Sequence, residues 1–366
     1  MPFLFASAID PSCPTLAGGA RLDQLDRTGH YARWEEDLER ARMLGLDALW
    51  YGAPYYRAHL APDHHDWECV EEPLLRLRDL GVEVIADLCR FGVPSWLGGF
   101  QDPAFPVLFA EYARAFARRF AWVRCFTPVS DILQCASASA LHGAWNECER
   151  SDSAFVRAVR NLCMAHELAV EALLSERPGA LIVHREGEAP APPDGSEAAQ
   201  GGRWDALRHL ALDLTLGHEL APGAGAYLQR HGVPSNELSF FREARAADRR
   251  WLGVTAPAAA HARHGRPLLP LAGAGDDGRA MPALRAAWEA SLALRAGGAP
   301  VHGFAWTAFT DTVGWERGAS IAGNAVRADG LCTQARHVSA LGEEFAAMMI
   351  ARPDSGDAAA ALRAQR

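Results

Sequence analysis

The stretch from Val82 to Asp131 constrains the fold more than any other part of the chain. It reads VEVIADLCRFGVPSWLGG, then DPAFPVLFAEYARAFARRF, then WVRCFTPVSD. The first run is rich in valine and isoleucine and is followed by a polar turn. Phe105, Phe109, Tyr112, Phe116 and Phe120 then fall on one side of a helix, and a second apolar run completes a βαβ unit. Strands joined in this way lie parallel, and in parallel sheets chemistry gathers at their carboxyl ends. Cys89 and Arg90 after the first strand, and Ser130 and Asp131 after the second, are therefore the first residues to consider.

The same alternation runs through the rest of the sequence. Phe3 to Ile9 is a short apolar strand followed by a Pro and Gly loop, and Asp47 to Tyr51 is a second. Between them Tyr31, Trp34, Leu38 and Ala41 recur at helical spacing over His30 to Leu44, with Glu35, Glu36 and Glu39 outward. A helix is expected over Trp67 to Leu80. After Asp131 the segment ILQCASASALHGAWNE reads as a loop, and a long helix covers about Ser153 to Glu176. Later strands are expected at Ala180 to Val183, Trp251 to Thr255, Pro267 to Leu271 and Val301 to Trp306. Helices are expected at Trp204 to Leu216, Met281 to Ala296 and Cys332 to Ile350. Eight strand and helix alternations point to an α/β chain folded as one (β/α)8 barrel over residues 1–350, with a doubly wound sheet as the alternative. Residues 187–203, rich in Pro, Gly and Ala, read as a flexible insertion that is either an idle loop or a lid. Residues 351–366 read as a disordered tail.

Composition narrows the function. A chain of 366 residues, 49% of them hydrophobic, can bury a large core. No run of about 18 apolar residues is present and the start lacks a basic secretory pattern, so the expectation is a cytoplasmic protein with no membrane partner. A net charge of -9 without a basic tract argues against nucleic acid. There is no Walker loop and no GxGxxG between a strand and a helix, so no cofactor is implied. Eight scattered cysteines without a CxxC pair read as buried thiols. His64, His65 and Asp66, and His261 with His264, lack convergent partners in the sequence, so no metal is expected.

The motifs also carry a family resemblance. DLCRFGVPSWLGGFQDPAFP, FTPVSD and SALHGAWNE resemble the third and fourth strands of family 1 glycoside hydrolases, and FAWTAFTDTVGW resembles their eighth. The resemblance covers about residues 3 to 345 and implies a (β/α)8 barrel. Members of that family cleave β-glycosides with retention, using an acid/base glutamate in T-x-N-E-P and a nucleophilic glutamate in T-E-N-G, with the two carboxyl groups about 5 to 5.5 Å apart. The resemblance places Asp131 at the acid/base position, in Thr127-Pro128-Val129-Ser130-Asp131, and Ala272 at the nucleophile position. The family's third-strand histidine matches Arg90, and an acidic residue of the eighth-strand motif matches Gly314. The first-strand sugar contact falls near Asp10, Pro11 and Cys13, while Trp306 and Trp315 remain as a possible aromatic platform.

These matches define the expected site. Asp131 is the catalytic candidate, and Glu186, just after the fifth strand, is a second carboxylate able to pair with it and raise one of the two pKa values. Arg90, Ser130, Asp10, Cys13, Trp306 and Trp315 are the expected substrate contacts. Arg90 either meets a ligand anion or pairs with Asp131 or Asp87. Asp276 and Asp277 are turn residues that could replace the missing nucleophile. Two readings follow. One is a divergent enzyme acting on a small, anionic or glycosylated molecule by acid/base chemistry through Asp131. The other is a pseudo-glycosidase that binds a sugar-like ligand or a partner protein.

Overall fold

The computed structural model describes residues 3–243, 250–274, 279–313 and 325–353. Eight parallel strands form the barrel: β1 (Leu4–Ile9), β2 (Ala48–Gly52), β3 (Glu83–Asp87), β4 (Cys125–Thr127), β5 (Leu181–Glu186), β6 (Arg250–Val254), β7 (Leu271–Ala272) and β8 (Gly303–Trp306). The pairing order is β6-β5-β4-β3-β2-β1-β8-β7. The ring closes between β6 and β7 through one residue, Leu268, which bridges Leu252 on one side and Val301 on the other. Leu252 donates to the Pro267 carbonyl (2.8 Å) and Leu269 to the Leu252 carbonyl (2.9 Å). Pro267 and Pro270 have no N–H to contribute, so the expected strand over 267–271 is interrupted and its regular ladder shrinks to Leu271 and Ala272.

Strand alternation sorts the side chains into two rows. Leu4, Ala6, Ala8, Trp50, Ile85, Cys125, Val183, Leu271 and Ala305 make an inner cluster. Phe5, Leu49, Val84, Phe126, Ile182 and Phe304 face the surrounding helices. The helices that matter here are α1 (His30–Leu44), α2 (Glu68–Leu80), α3 (Phe105–Arg119), α4 (Ile132–Ala140), α5 (Asp152–Glu176), α6 (Ala280–Ala296) and α7 (Ala340–Ile350). α1 and α2 both stop at a left-handed glycine, Gly45 (φ 87) and Gly81 (φ 71), as a C-terminal cap requires. Phe105, Phe109, Tyr112 and Phe116 of α3 are all buried, as their spacing predicts.

Three expectations change. The segment after Asp131 is not a loop but α4, whose residues are all buried except Gln134. Its Ala, Ser and Cys side chains pack closely against α5 and leave no polar stripe to betray a helical period. The helix expected over Trp204 to Leu216 is two short ones, Arg203–Leu207 and Leu210–Thr215. The closing helix begins at Ala340, where the Ser339 hydroxyl accepts the Gly342 amide, and Cys332 lies instead in a bridge to Thr310 and Val338. Within the 187–203 segment, both oxygens of Asp152 accept backbone amides, from Glu197 and Ala198 at 2.8 Å each, and Ala198 is buried. The tail beyond Pro353 lies outside the described residues. Among the described residues no helix is long and apolar enough to cross a membrane.

Candidate active site

The inner row turns polar at the carboxyl end of the barrel. Asp87, Thr127 and Arg185 follow Ile85, Cys125 and Val183 on the same face, so three neighbouring strands aim hydrogen-bonding groups at one point. The Trp50 indole donates to the Thr127 hydroxyl (2.9 Å), which itself donates to the Val183 carbonyl (2.7 Å). Above this floor lies a cleft of about 890 Å³. Asp10, Arg90, Phe91, Gln134, Arg185 and Glu188 line one side, and Thr255, Ala272, Thr307, Arg327 and Asp329 the other.

A chain of alternating charges crosses the cleft floor. Asp10 Oδ1 lies 3.3 Å from Arg90 Nε, and Arg90 Nη1 lies 2.9 Å from Asp131 Oδ2. Asp131 Oδ2 is 4.0 Å from Arg185 Nε, and Arg185 Nη1 reaches Asp87 Oδ2 at 3.2 Å. Ser130 ends the chain by donating to Asp87 Oδ1 (2.7 Å). Burial pushes the Asp87 carboxyl up to about 6 against the pull of Arg185 and Arg90. Burial, and then the charge of Arg90, also lower Arg185, so desolvation outweighs attraction at both ends of that pair. Arg90 is different: although burial opposes its charge, Asp10 and Asp131 hold it above its usual value. Its Nε and Nη1 nevertheless find no aligned hydrogen-bond acceptor among the described residues.

Asp131 sits in the left-handed region (φ 52, ψ 51) immediately before α4, a conformation that aspartate tolerates better than most residues. Its Oδ1 accepts the Gly187 amide at 2.6 Å and its Oδ2 faces Arg90, so both oxygens are engaged and the residue is almost fully buried. Glu186 belongs to the outer row with Ile182 and His184. Its carboxylate accepts the amides of Ile132 (3.0 Å) and Leu133 (2.8 Å), capping α4 from outside. Burial and the nearby Asp131 charge raise Glu186 well above the ordinary carboxyl range, against those two amides. His184 stands 3.4 Å away, and burial next to Arg250 lowers it to about 3, so its ring is neutral.

The other expected contacts are placed as follows. Asp10 and Arg90 line the cleft, while Ser130 is enclosed with its hydroxyl donated to Asp87. Cys13 is buried and its thiol is pushed up to about 12 by burial and by Asp23, which leaves it protonated. Trp306 continues the outer row after Phe304. It is fully enclosed and donates its indole N–H to the Asp329 carbonyl (2.7 Å), bracing the wall beside the cleft. Gly314, Trp315, Asp276 and Asp277 lie outside the described residues. Arg185, Arg327 and Asp329 line the cleft without having been singled out in the sequence. Inner-row alternation with Val183 would have pointed to Arg185, whereas Arg327 comes from a strand, Val326–Arg327, that lies outside the quoted motifs and pairs with Thr312–Val313, and Asp329 follows it and accepts from Thr312.

The fold is a nearly closed (β/α)8 barrel with its cleft at the carboxyl end of the strands. It is similar to the family 1 β-glucosidase of Thermotoga maritima, with a TM-score of 0.72 at 17% identity over 88% of this chain and 87% of that one. The same enzyme in complex with deoxynojirimycin gives 0.73 at 16% identity, and in complex with noeuromycin 0.73 at 18%, with the same coverage. No protein-family model matches the sequence, and no curated protein matches it.

Proposed function

We propose that the barrel binds a small, anionic, sugar-like molecule in the cleft at its carboxyl end and does not hydrolyse glycosides by the retaining route. The observation that carries this reading is Arg90, a cleft-lining guanidinium whose Nε and Nη1 lack an aligned acceptor. A carboxylate or phosphate offers the paired oxygens that such a fork takes up best. The retaining route needs a free nucleophilic carboxylate facing an acid/base carboxyl. Ala272 supplies none at the position that the resemblance assigns to the nucleophile, and Asp131 is held by Arg90 and the Gly187 amide. All eight cysteines are free thiols, the state that a reducing compartment maintains, which supports a cytoplasmic location.

A second reading is favoured by Glu186. Burial and the neighbouring Asp131 raise its carboxyl well above the ordinary range, the kind of offset between two adjacent carboxyl groups that acid/base chemistry uses. In that reading a ligand anion draws Arg90 away and releases Asp131 to act.

Thermal shift and calorimetry with neutral sugars, the matching uronic acids and sugar phosphates test the proposal. The anionic members are expected to raise the Tm and the neutral ones not. Arg90→Lys should weaken binding about 10-fold, and Arg90→Ala more, with loss of the salt dependence. Neutral glycosides bound as tightly as acidic ones, or Arg90 variants that bind like the parent, would overturn it. Turnover that disappears in Asp131→Asn would select the second reading.

A further inference from the structure

Outside the set of residues that line the cleft, the chain between β2 and α2 folds into a two-stranded ribbon, His59–Ala61 with His64–His65, in which His59 pairs with His65. The two imidazoles stack with ring centroids 4.8 Å apart and planes 16° apart. Trp96 meets His59 edge-on, and its indole N–H donates to the His59 carbonyl (2.8 Å). Trp67 stacks on the other face of His65 at 5.2 Å. The rings are thus held rigidly, and Nε2 of each lies 3.8 Å from the same atom, Glu111 Oε1 on α3. Glu111 is oriented in turn by the Asp63 amide, which donates to the same oxygen at 2.6 Å.

What this cluster lacks is hydrogen bonds. His59 is 1% exposed, yet its ring reaches nothing better than the Ala61 backbone, and neither its nitrogens nor Nε2 of His65 has a well-aligned partner. Buried polar atoms left unpaired are destabilising, and native structures rarely leave three together. We infer that His59 Nε2, His65 Nε2 and Glu111 Oε1 hold a divalent metal ion of the zinc class, clipping the His59–His65 ribbon to α3.

Two imidazoles and one carboxylate are a donor set that zinc accepts, with a fourth position left for water. Bonds of about 2.0 to 2.2 Å to a tetrahedral centre place neighbouring ligand atoms about 3.4 Å apart. The 3.8 Å contacts to Glu111 therefore need to close by a few tenths of an ångström, and the two ring nitrogens, within 4.8 Å of one another, need to turn toward a shared point. A surface cleft bordered by Asp63, His65, Glu111 and Arg114 gives the ion a path from solvent. A second cluster, Asp213 with His218 and His264, is a poorer host, because both Asp213 oxygens already face the Arg263 guanidinium at 2.6 and 2.7 Å.

The test uses the full chain after chelator treatment, titrated with Zn2+ alone and followed by calorimetry, with metal content measured in parallel. One Zn2+ per chain and a rise in Tm are expected. His65→Ala and Glu111→Gln alter partly exposed side chains, so their metal-free melting should match the parent within a few degrees. Each should weaken Zn2+ binding at least about 100-fold, the upper end of what a residue merely supporting a metal ligand is worth. Failure of the parent to bind Zn2+, or binding by either variant with the parent's affinity, overturns the assignment. Co2+ in the same protein should give the intense visible bands of a four-coordinate ion, and a spectrum no different from aqueous Co2+ would count equally against it.

Discussion

Asp87 couples the cleft floor to pH. Its carboxyl is held near 6 by burial, against an ordinary value of 3.8. Between about pH 4 and 6 the folded chain therefore keeps a proton that the unfolded chain has lost, so this residue makes stability fall as pH rises through that window and stay level above it. The shift corresponds to about 3 kcal/mol at most. Asp87→Asn removes the titration while leaving an acceptor for Ser130. Urea unfolding should show the variant gaining about 2 to 3 kcal/mol relative to the parent between pH 4 and 6.5. A difference that stays constant across that range would mean Asp87 titrates normally. At this scale the sequence disclosed what lies just beyond strand ends, including Arg90, Asp131 and Asp10. It did not disclose Arg185, because the expected strand stopped at Val183 whereas the observed one runs on to Glu186, or His59 and Glu111, which lie 52 residues apart in sequence and meet only when α3 packs beside the ribbon.

Arg250 at the start of β6 forks onto Glu167 in the middle of α5, with both contacts at 2.8 Å and both residues buried. It also donates to the Thr215 carbonyl. Arg250→Met would leave the Glu167 charge enclosed without a partner and should cost about 3 to 5 kcal/mol, whereas adding Glu167→Leu should recover most of the loss. Denaturant unfolding of the two variants separates a buried pair that fixes α5 on the sheet from an incidental one: equal stability in both would mean the pair is incidental. Elements with a clear apolar stripe were legible. The His30 to Leu44 helix agrees to the residue, α5 and α6 to within one, and α3 to within three. α4 was hidden because a helix of small residues buried on every side has no period to detect. The helix expected over Trp204 to Leu216 was misjudged as continuous because a composition rich in helix formers does not reveal the break near His209.

For the molecule as a whole, counting alternating strands and helices was enough to give the barrel, since eight units leave few other ways to bury both faces of a parallel sheet. The count did not reveal how unevenly the ring is sealed. β2 and β3 share five residue pairs, whereas among the described residues β6 meets the segment leading into β7 through Leu268 alone. Native-state hydrogen exchange should accordingly find the Leu269 amide opening more readily than those of β2 and β3, and equal protection would show that the helices, not the strand ladder, set local stability there. The strand order also has a consequence for synthesis. From β1 to β6 each strand pairs with the one made just before it, so six strands can assemble as they leave the ribosome. The free side of β1 waits for β8: Ser7 donates to the carbonyl of Trp306, 299 residues later in the chain. Throughout that interval the nascent protein presents an open strand edge, the kind of surface on which other chains add and aggregate. Between translation of the sixth strand and arrival of the eighth, a six-stranded sheet can therefore stand with both of its edges open.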